Sequence, residues 1–175
     1  MKRTVSSVNK RLALCSIIAA LAIVLSYLEA ISGINALMPV IGTKLGLGNI
    51  AVVVAAFAVS LPCGLVISLI RVGVMAMLFG TPTSFVFSLF GAMLAYAFIA
   101  FSKLVIKDKI SLIGVSVGAS AMHMTGQLIA ASLMLGSADI FNLLGVYLLM
   151  SVASGIVTGA IAQLCTSKLK KITGA

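Results

Sequence analysis

Six side chains hold most of the chemistry open to this 175-residue chain: Arg71, His123, Gln127, Asn49, Lys44 and Glu29. Each lies in or beside a long apolar run. Arg71 stands near the middle of one, in Ser68-Leu69-Ile70-Arg71-Val72-Gly73, with no acid within a helical turn. A charge at the bilayer centre costs on the order of 2.5 to 3.5 kcal/mol on insertion scales, so a retained one has a partner or lines a cavity. Two readings stand together: pairing with Glu29 or with helix carbonyls, and contact with a ligand. Ser116, Ser120, His123 and Gln127 follow the i, i+4, i+7, i+11 spacing that puts them on one helical face. Such a stripe faces protein or water: the serines suit close helix approach, whereas His123 and Gln127 offer donors and acceptors to a polar ligand. A lone His without Cys, Asp or a second His at ligand spacing makes a poor metal site, so no metal and no other cofactor is expected.

Glu29, in the outer part of the first run, reads as an interfacial carboxylate or as a partner of Arg71, although it should lie nearly two helical turns further outward. The stretch Gly42-Thr43-Lys44-Leu45-Gly46-Leu47-Gly48-Asn49 superficially resembles a phosphate-binding loop. It lacks the Gly-Lys-Ser/Thr ending and a preceding strand, so nucleotide hydrolysis is not expected. Glycine N–H groups beside a lysine at a helix N-terminus can still cradle an anion. The alternatives are an interfacial anchor for Lys44 and a helix cap for Asn49.

These residues must be positioned by membrane helices. With 62% hydrophobic and 9% charged residues the chain has too little polar surface to cover a soluble particle. About six apolar runs, at residues 12–31, 49–61, 65–79, 83–104, 110–135 and 140–165, predict an all-α bundle forming one membrane domain over residues 1–175. The second is short. Pro39, Pro62 and Pro82 fall at breaks between runs, and residues 32–48 form a Gly-rich loop.

A formal net charge of +9 would suggest nucleic acid in a soluble protein, but here Lys and Arg flank the apolar runs, and no nucleic-acid role is assigned. They cluster at Lys2, Arg3, Lys10 and Arg11, at Lys103, Lys107 and Lys109, and at Lys168, Lys170 and Lys171. Six spans place all three clusters, and both termini, on the cytoplasmic face of a plasma membrane. Only Lys44 then lies in an external loop. Tyr27, Tyr96 and Tyr147 would form a thin interfacial belt. Cys15, Cys63 and Cys165 would sit near the reducing face as small packing residues, their spacing matching no metal or redox motif.

Three segments carry a family resemblance: Lys44-Leu45-Gly46-Leu47-Gly48-Asn49-Ile50; Ser68-Leu69-Ile70-Arg71-Val72 with Leu78-Phe79-Gly80; and His123-Met124-Thr125-Gly126-Gln127-Leu128. Together they resemble the bacterial Gx transporter family, also labelled heptaprenyl diphosphate synthase component I, across nearly the whole chain. Gly-Leu-Gly-Asn and His-Met-Thr-Gly-Gln stand where that family usually has Gly-Leu-Ala-Asn and His-Asn-x-Gly-Gln. In size and span number the family is similar to the substrate-binding (S) components of energy-coupling factor (ECF) transporters. That similarity implies an external pocket, a loop after the first helix acting as a lid, and dependence on a coupling subunit and two ATPases.

The function expected is therefore capture of a small polar-headed or anionic molecule for uptake, without catalysis. Small residues on the first helix, Cys15 with Ala19, Ser16 with Ala20 and Ala22 with Ser26, would let a coupling helix approach. Gly114 with Gly118 and Gly155 with Gly159 would serve internal packing. The alternatives are a noncatalytic membrane subunit linked to prenyl diphosphate synthesis and a solitary secondary transporter. Prenyl synthases carry Asp-rich motifs for magnesium and diphosphate, and this chain has only Asp108 and Asp139.

Overall fold

The computed structural model describes residues 2–33 and 44–173. Six α-helices follow in order: α1 (Lys2–Ile31), α2 (Asn49–Ala58), α3 (Leu61–Phe79), α4 (Pro82–Phe101), α5 (Leu112–Leu135) and α6 (Leu144–Thr173). A π-helical turn, Ser102–Ile106, extends α4, and 3-10 turns at Lys107–Lys109 and Ala138–Leu143 precede α5 and α6. Five helices are long and apolar enough to cross a bilayer, so the chain is a multi-pass, all-α membrane protein.

The helix starts are set by local chemistry. Ser60 caps α3 by accepting from the Cys63 N–H at 3.3 Å, and Thr81 caps α4 by accepting from the Ser84 N–H at 3.1 Å. Pro62 and Pro82 occupy the first turns, where a missing N–H costs nothing, so the prolines expected in turns begin the next helices. Ser111 caps α5 in the same way, and Gly136 ends it at φ +66°, a left-handed conformation that glycine adopts without strain.

The short second run becomes an interior half-helix. Ten residues of α2 rise about 15 Å, half the hydrocarbon thickness, and every residue of it except Phe57 is buried. Its C-terminal end is held by Lys103, whose Nζ donates to the Ala56 carbonyl and lies 5.5 Å from the Phe57 ring centroid. Residues 44–48 lead into it beside the far end of α1, where Glu29 accepts from Gly46 and Leu47.

At the opposite end of α1 the basic clusters gather. The ends of α2 and α4 and the start of α3 meet there, tied by the Tyr96 hydroxyl donating to the Leu61 carbonyl at 2.9 Å. Cys15, Leu61, Ile110, Leu112 and Leu169 pack on one core. Of the five long helices α5 is the most buried, with half of its span inside, against a sixth for α6. Gly118 gives room to the Phe98 ring, while Gly155 and Gly159 let α6 approach the backbone of α5, the internal packing expected of them.

Three sequence expectations need correction. Cys15 and Cys63 are joined by a disulfide, because α1 and α3 cross there with their Cα atoms 6.2 Å apart; Cys165 is free and exposed. Tyr147 belongs to no interfacial belt, being fully buried with Met124 and Leu128. Ala22 and Ser26 are buried inside the bundle and leave no outer face for a coupling helix, unlike exposed Ser16 and Ala20 and half-buried Ala19.

Candidate functional site

The segment from Lys44 to Gly48 is pinned from two sides. Gln127 on α5 grips Lys44 in both directions: the Lys44 N–H donates to Oε1 at 2.6 Å, and Nε2 donates to the Lys44 carbonyl at 2.7 Å. A primary amide here does what a neighbouring β-strand would do, satisfying one donor and one acceptor of an unpaired backbone. On α1, the Glu29 carboxylate accepts from the N–H groups of Gly46 at 2.8 Å and Leu47 at 2.7 Å. These N–H groups immediately precede α2, where the helix dipole favours negative charge. Glu29 thus sits where the anion of a phosphate-binding helix start would sit.

This overturns the picture of Glu29 as an interfacial carboxylate reaching water, since it is only 2% exposed. Although Glu29 was expected nearly two helical turns further outward, it and Arg71 line one small cavity. Gly46 and Leu47, bound to Glu29, and Asn49, bound to Arg71, bring the start of α2 into the same cluster.

Arg71 reaches the cluster from α3. It donates from one terminal nitrogen to the Ser26 hydroxyl at 3.3 Å and from the other to the Asn49 Oδ1 at 2.9 Å. Asn49 therefore does not cap α2; Gly48 holds the cap position without a side-chain bond, and the Asn49 side chain turns to the arginine. Gly48 is needed for that geometry, because a Cβ there would stand 2.2 Å from the Ser26 hydroxyl and 2.6 Å from the Arg71 side chain. His123 is clasped between two glycines. A Cβ on Gly46, at φ +86°, would lie 3.0 Å from the ring, and one on Gly91 of α4 would lie 2.8 Å from it. Gly126 brings α4 and α5 together one turn away, facing the Phe90 carbonyl.

The cavity enclosed by Ser26, Glu29, Lys44, Arg71, Ser88 and His123 measures about 20 Å³, room for about one water molecule. Among the described residues, three buried polar atoms of this cluster have no hydrogen-bond partner: Arg71 Nε, Asn49 Nδ2 and Ser88 Oγ, while the His123 ring lies against the Gly91 backbone. Two of the three, Arg71 Nε and Asn49 Nδ2, are obligate donors. Burial pushes the Lys44 ammonium below its usual pKa, with Glu29 opposing and Arg71 reinforcing that shift. Among the described residues, no three His, Cys, Asp or Glu side chains come together as a metal site would need.

All six sequence-derived residues thus meet at one place. Ser26, Ser88 and Gly91 were not singled out for it, and Gly46 and Gly48 were read as an anion cradle rather than as the close contacts of His123, Ser26 and Arg71. Ser26 lies three residues before Glu29 on the same helical face, a legible signal that its pairing with Ala22 obscured. Nothing in the sequence marks Gly91, a glycine in an apolar helix whose role depends on the neighbour it faces. Gly42 and Thr43, the start of the phosphate-loop resemblance, and most of the loop expected to act as a lid lie outside the described residues.

No curated protein matches the chain, and no solved structure does. One family model does, described as heptaprenyl diphosphate synthase component I, and its match over residues 18–165 takes in every residue of the cluster from Ser26 to Gln127. The chain belongs to the heptaprenyl diphosphate synthase component I family.

Proposed function

We propose that this protein is the substrate-binding (S) component of an ECF-type importer, and that the Arg71 cluster captures an anionic or polar-headed molecule. One observation carries the reading. The cavity is lined by two basic side chains and one acid, with three polar atoms in the same cluster unpartnered among the described residues. A buried excess of positive charge is costly in a membrane protein unless a counter-anion offsets it. Glu29 satisfies the loop and leaves one positive charge for a ligand. The substrate would approach from the side opposite the basic clusters, which face the cytoplasm of a bacterial cell by the positive-inside rule.

An apolar groove of about 450 Å³ at the basic end supports a docking partner. It runs between α1 and α3, lined by Arg11, Cys15, Ser16, Ala19, Cys63 and Val66 among others. Small residues there let another membrane helix pack closely, which suits a coupling subunit driven by two ATPases.

The family description favours a second reading, a noncatalytic membrane subunit that assists prenyl diphosphate synthesis. Uptake separates the two. Purified alone in liposomes, the protein should bind its ligand, identified by native mass spectrometry, without accumulating it. Concentrative uptake under an ion gradient would point to a secondary transporter, and faster product formation by a co-purifying soluble synthase would favour the second reading.

A further inference from the structure

The segment that closes the polar cavity is also the wall of an apolar groove. Lys44 and Gly46 line the cavity, whereas Leu45 and Leu47 point the other way, into a groove of about 330 Å³ bordered by Met150, Ala153, Ser154 and Val157 of α6. The two leucines thus take the side of the segment opposite Lys44 and Gly46, with the left-handed turn at Gly46, φ +86°, between them. One thickness of backbone therefore separates a charged chamber from an apolar trough. Leu45 is also packed on the core formed by Met124, Leu128 and Tyr147, which fixes the side it takes.

The two spaces differ in what they could hold. The chamber has room for about one water, too little for any whole organic substrate, while its basic residues and unpartnered donors call for an anion. The trough is more than ten times larger and almost wholly apolar, with a buried, unpartnered Ser154 hydroxyl beside it. It lies on α6, whose Leu149 and Val157 are exposed at 74% and 57% in a helix that faces lipid. An apolar chain is not drawn there by the hydrophobic effect, since lipid is equally apolar. What the trough adds is position, because a chain lying in it is already at the depth of the chamber.

Resting on the reading of the Arg71 cluster as an anion site, we propose that the ligand is a single-chain amphiphile. Its anionic head engages Arg71, Lys44 and the N–H groups now bound to Glu29, and its apolar chain lies along α6 in the trough. The molecule is taken from the bilayer leaflet on the side opposite the basic clusters, and the head enters beside Leu45 and Leu47. The carboxylate of Glu29 holds the place of the head until the ligand arrives.

The test uses the full chain in phosphatidylcholine nanodiscs with dodecyl phosphate bearing a photoreactive diazirine at the chain end. Crosslinks mapped by mass spectrometry should concentrate on residues 150–157. Excess dodecyl phosphate should suppress them and dodecanol should not; equal suppression by the two-chain phosphatidic acid would overturn the single-chain assignment. Ala153→Trp, which fills the trough, should abolish labelling while Arg71-dependent binding of inorganic phosphate persists. Arg71→Gln should reduce labelling by about tenfold or more, with Arg71→Lys as the milder variant should Gln fail to fold. Labelling spread evenly over the lipid-facing surfaces of α1, α3 and α6 and insensitive to competitor would overturn the amphiphile proposal. Inorganic phosphate binding that survives in that case would leave the anion site standing; loss of both would remove the anion site as well.

Discussion

The two ends of the bundle are built on opposite principles. At one end, charged and amide side chains fix a backbone segment through bonds of 2.6 to 2.8 Å, leaving almost no empty space. At the other, α1 and α3 border a wide apolar groove with small residues and Arg11 at its margin. A directional, tightly packed site selects one molecule, whereas a shallow small-residue groove accepts the surface of another helix. Recognition of a ligand and recognition of a partner can therefore be altered independently.

The largest effect should come from the polar end. Arg71→Ala removes the central cation and should weaken ligand binding by about 2 to 5 kcal/mol while leaving the protein inserted, read by direct titration. Unchanged affinity would make Arg71 a structural tie between Ser26 and Asn49.

Glu29→Ala deletes two charge-assisted bonds to the segment before α2. Bonds to charged groups are worth about 1.5 to 3 kcal/mol each, and hydrogen exchange at Gly46 and Leu47 should accelerate accordingly. Unaltered protection would mean that Gln127 alone holds the segment.

Glycine replacements refine the contrast. Gly91→Ala drives a methyl into the His123 ring and should cost about 1 to 3 kcal/mol in unfolding stability. Gly73→Ala on α3, where a Cβ meets nothing within 4 Å, should instead stabilise by about 0.5 to 1 kcal/mol. Equal effects would show that packing around His123 is looser than it looks.

The smallest change in ligand affinity belongs to the groove end. Ala20→Phe, on the exposed face of α1, should shift binding by under about 0.5 kcal/mol yet block uptake in cells. Loss of binding would join the two ends into one functional unit.

The membrane class, the all-α fold and the positions of α3 to α6 were legible because apolar length and capping residues are local signals. So was the membership of the cluster, since a charge in an apolar run has few innocent explanations. Its geometry was not. Helix register could not say that Glu29 would accept from the Gly46 and Leu47 N–H groups, because those residues lie in no periodic element. The Cys15–Cys63 bond was equally hidden: nothing in a 48-residue separation says that two helices will cross there. Ser26 was seen but assigned to the wrong face, for small residues serve internal and external approaches alike.

The shortness of α2 bears on biogenesis. A segment of about 15 Å is poorly suited to leave the insertion machinery as an independent span, which needs about 20 apolar residues. Its two ends rest on residues from elsewhere in the chain: Glu29 satisfies the N–H groups before it, and Lys103, made some fifty residues later, satisfies a carbonyl near its end. The half-helix must therefore wait for α4 before it can settle. Assembly of the ligand chamber is a late event in synthesis, and truncation before Lys103 should yield inserted helices without a binding site.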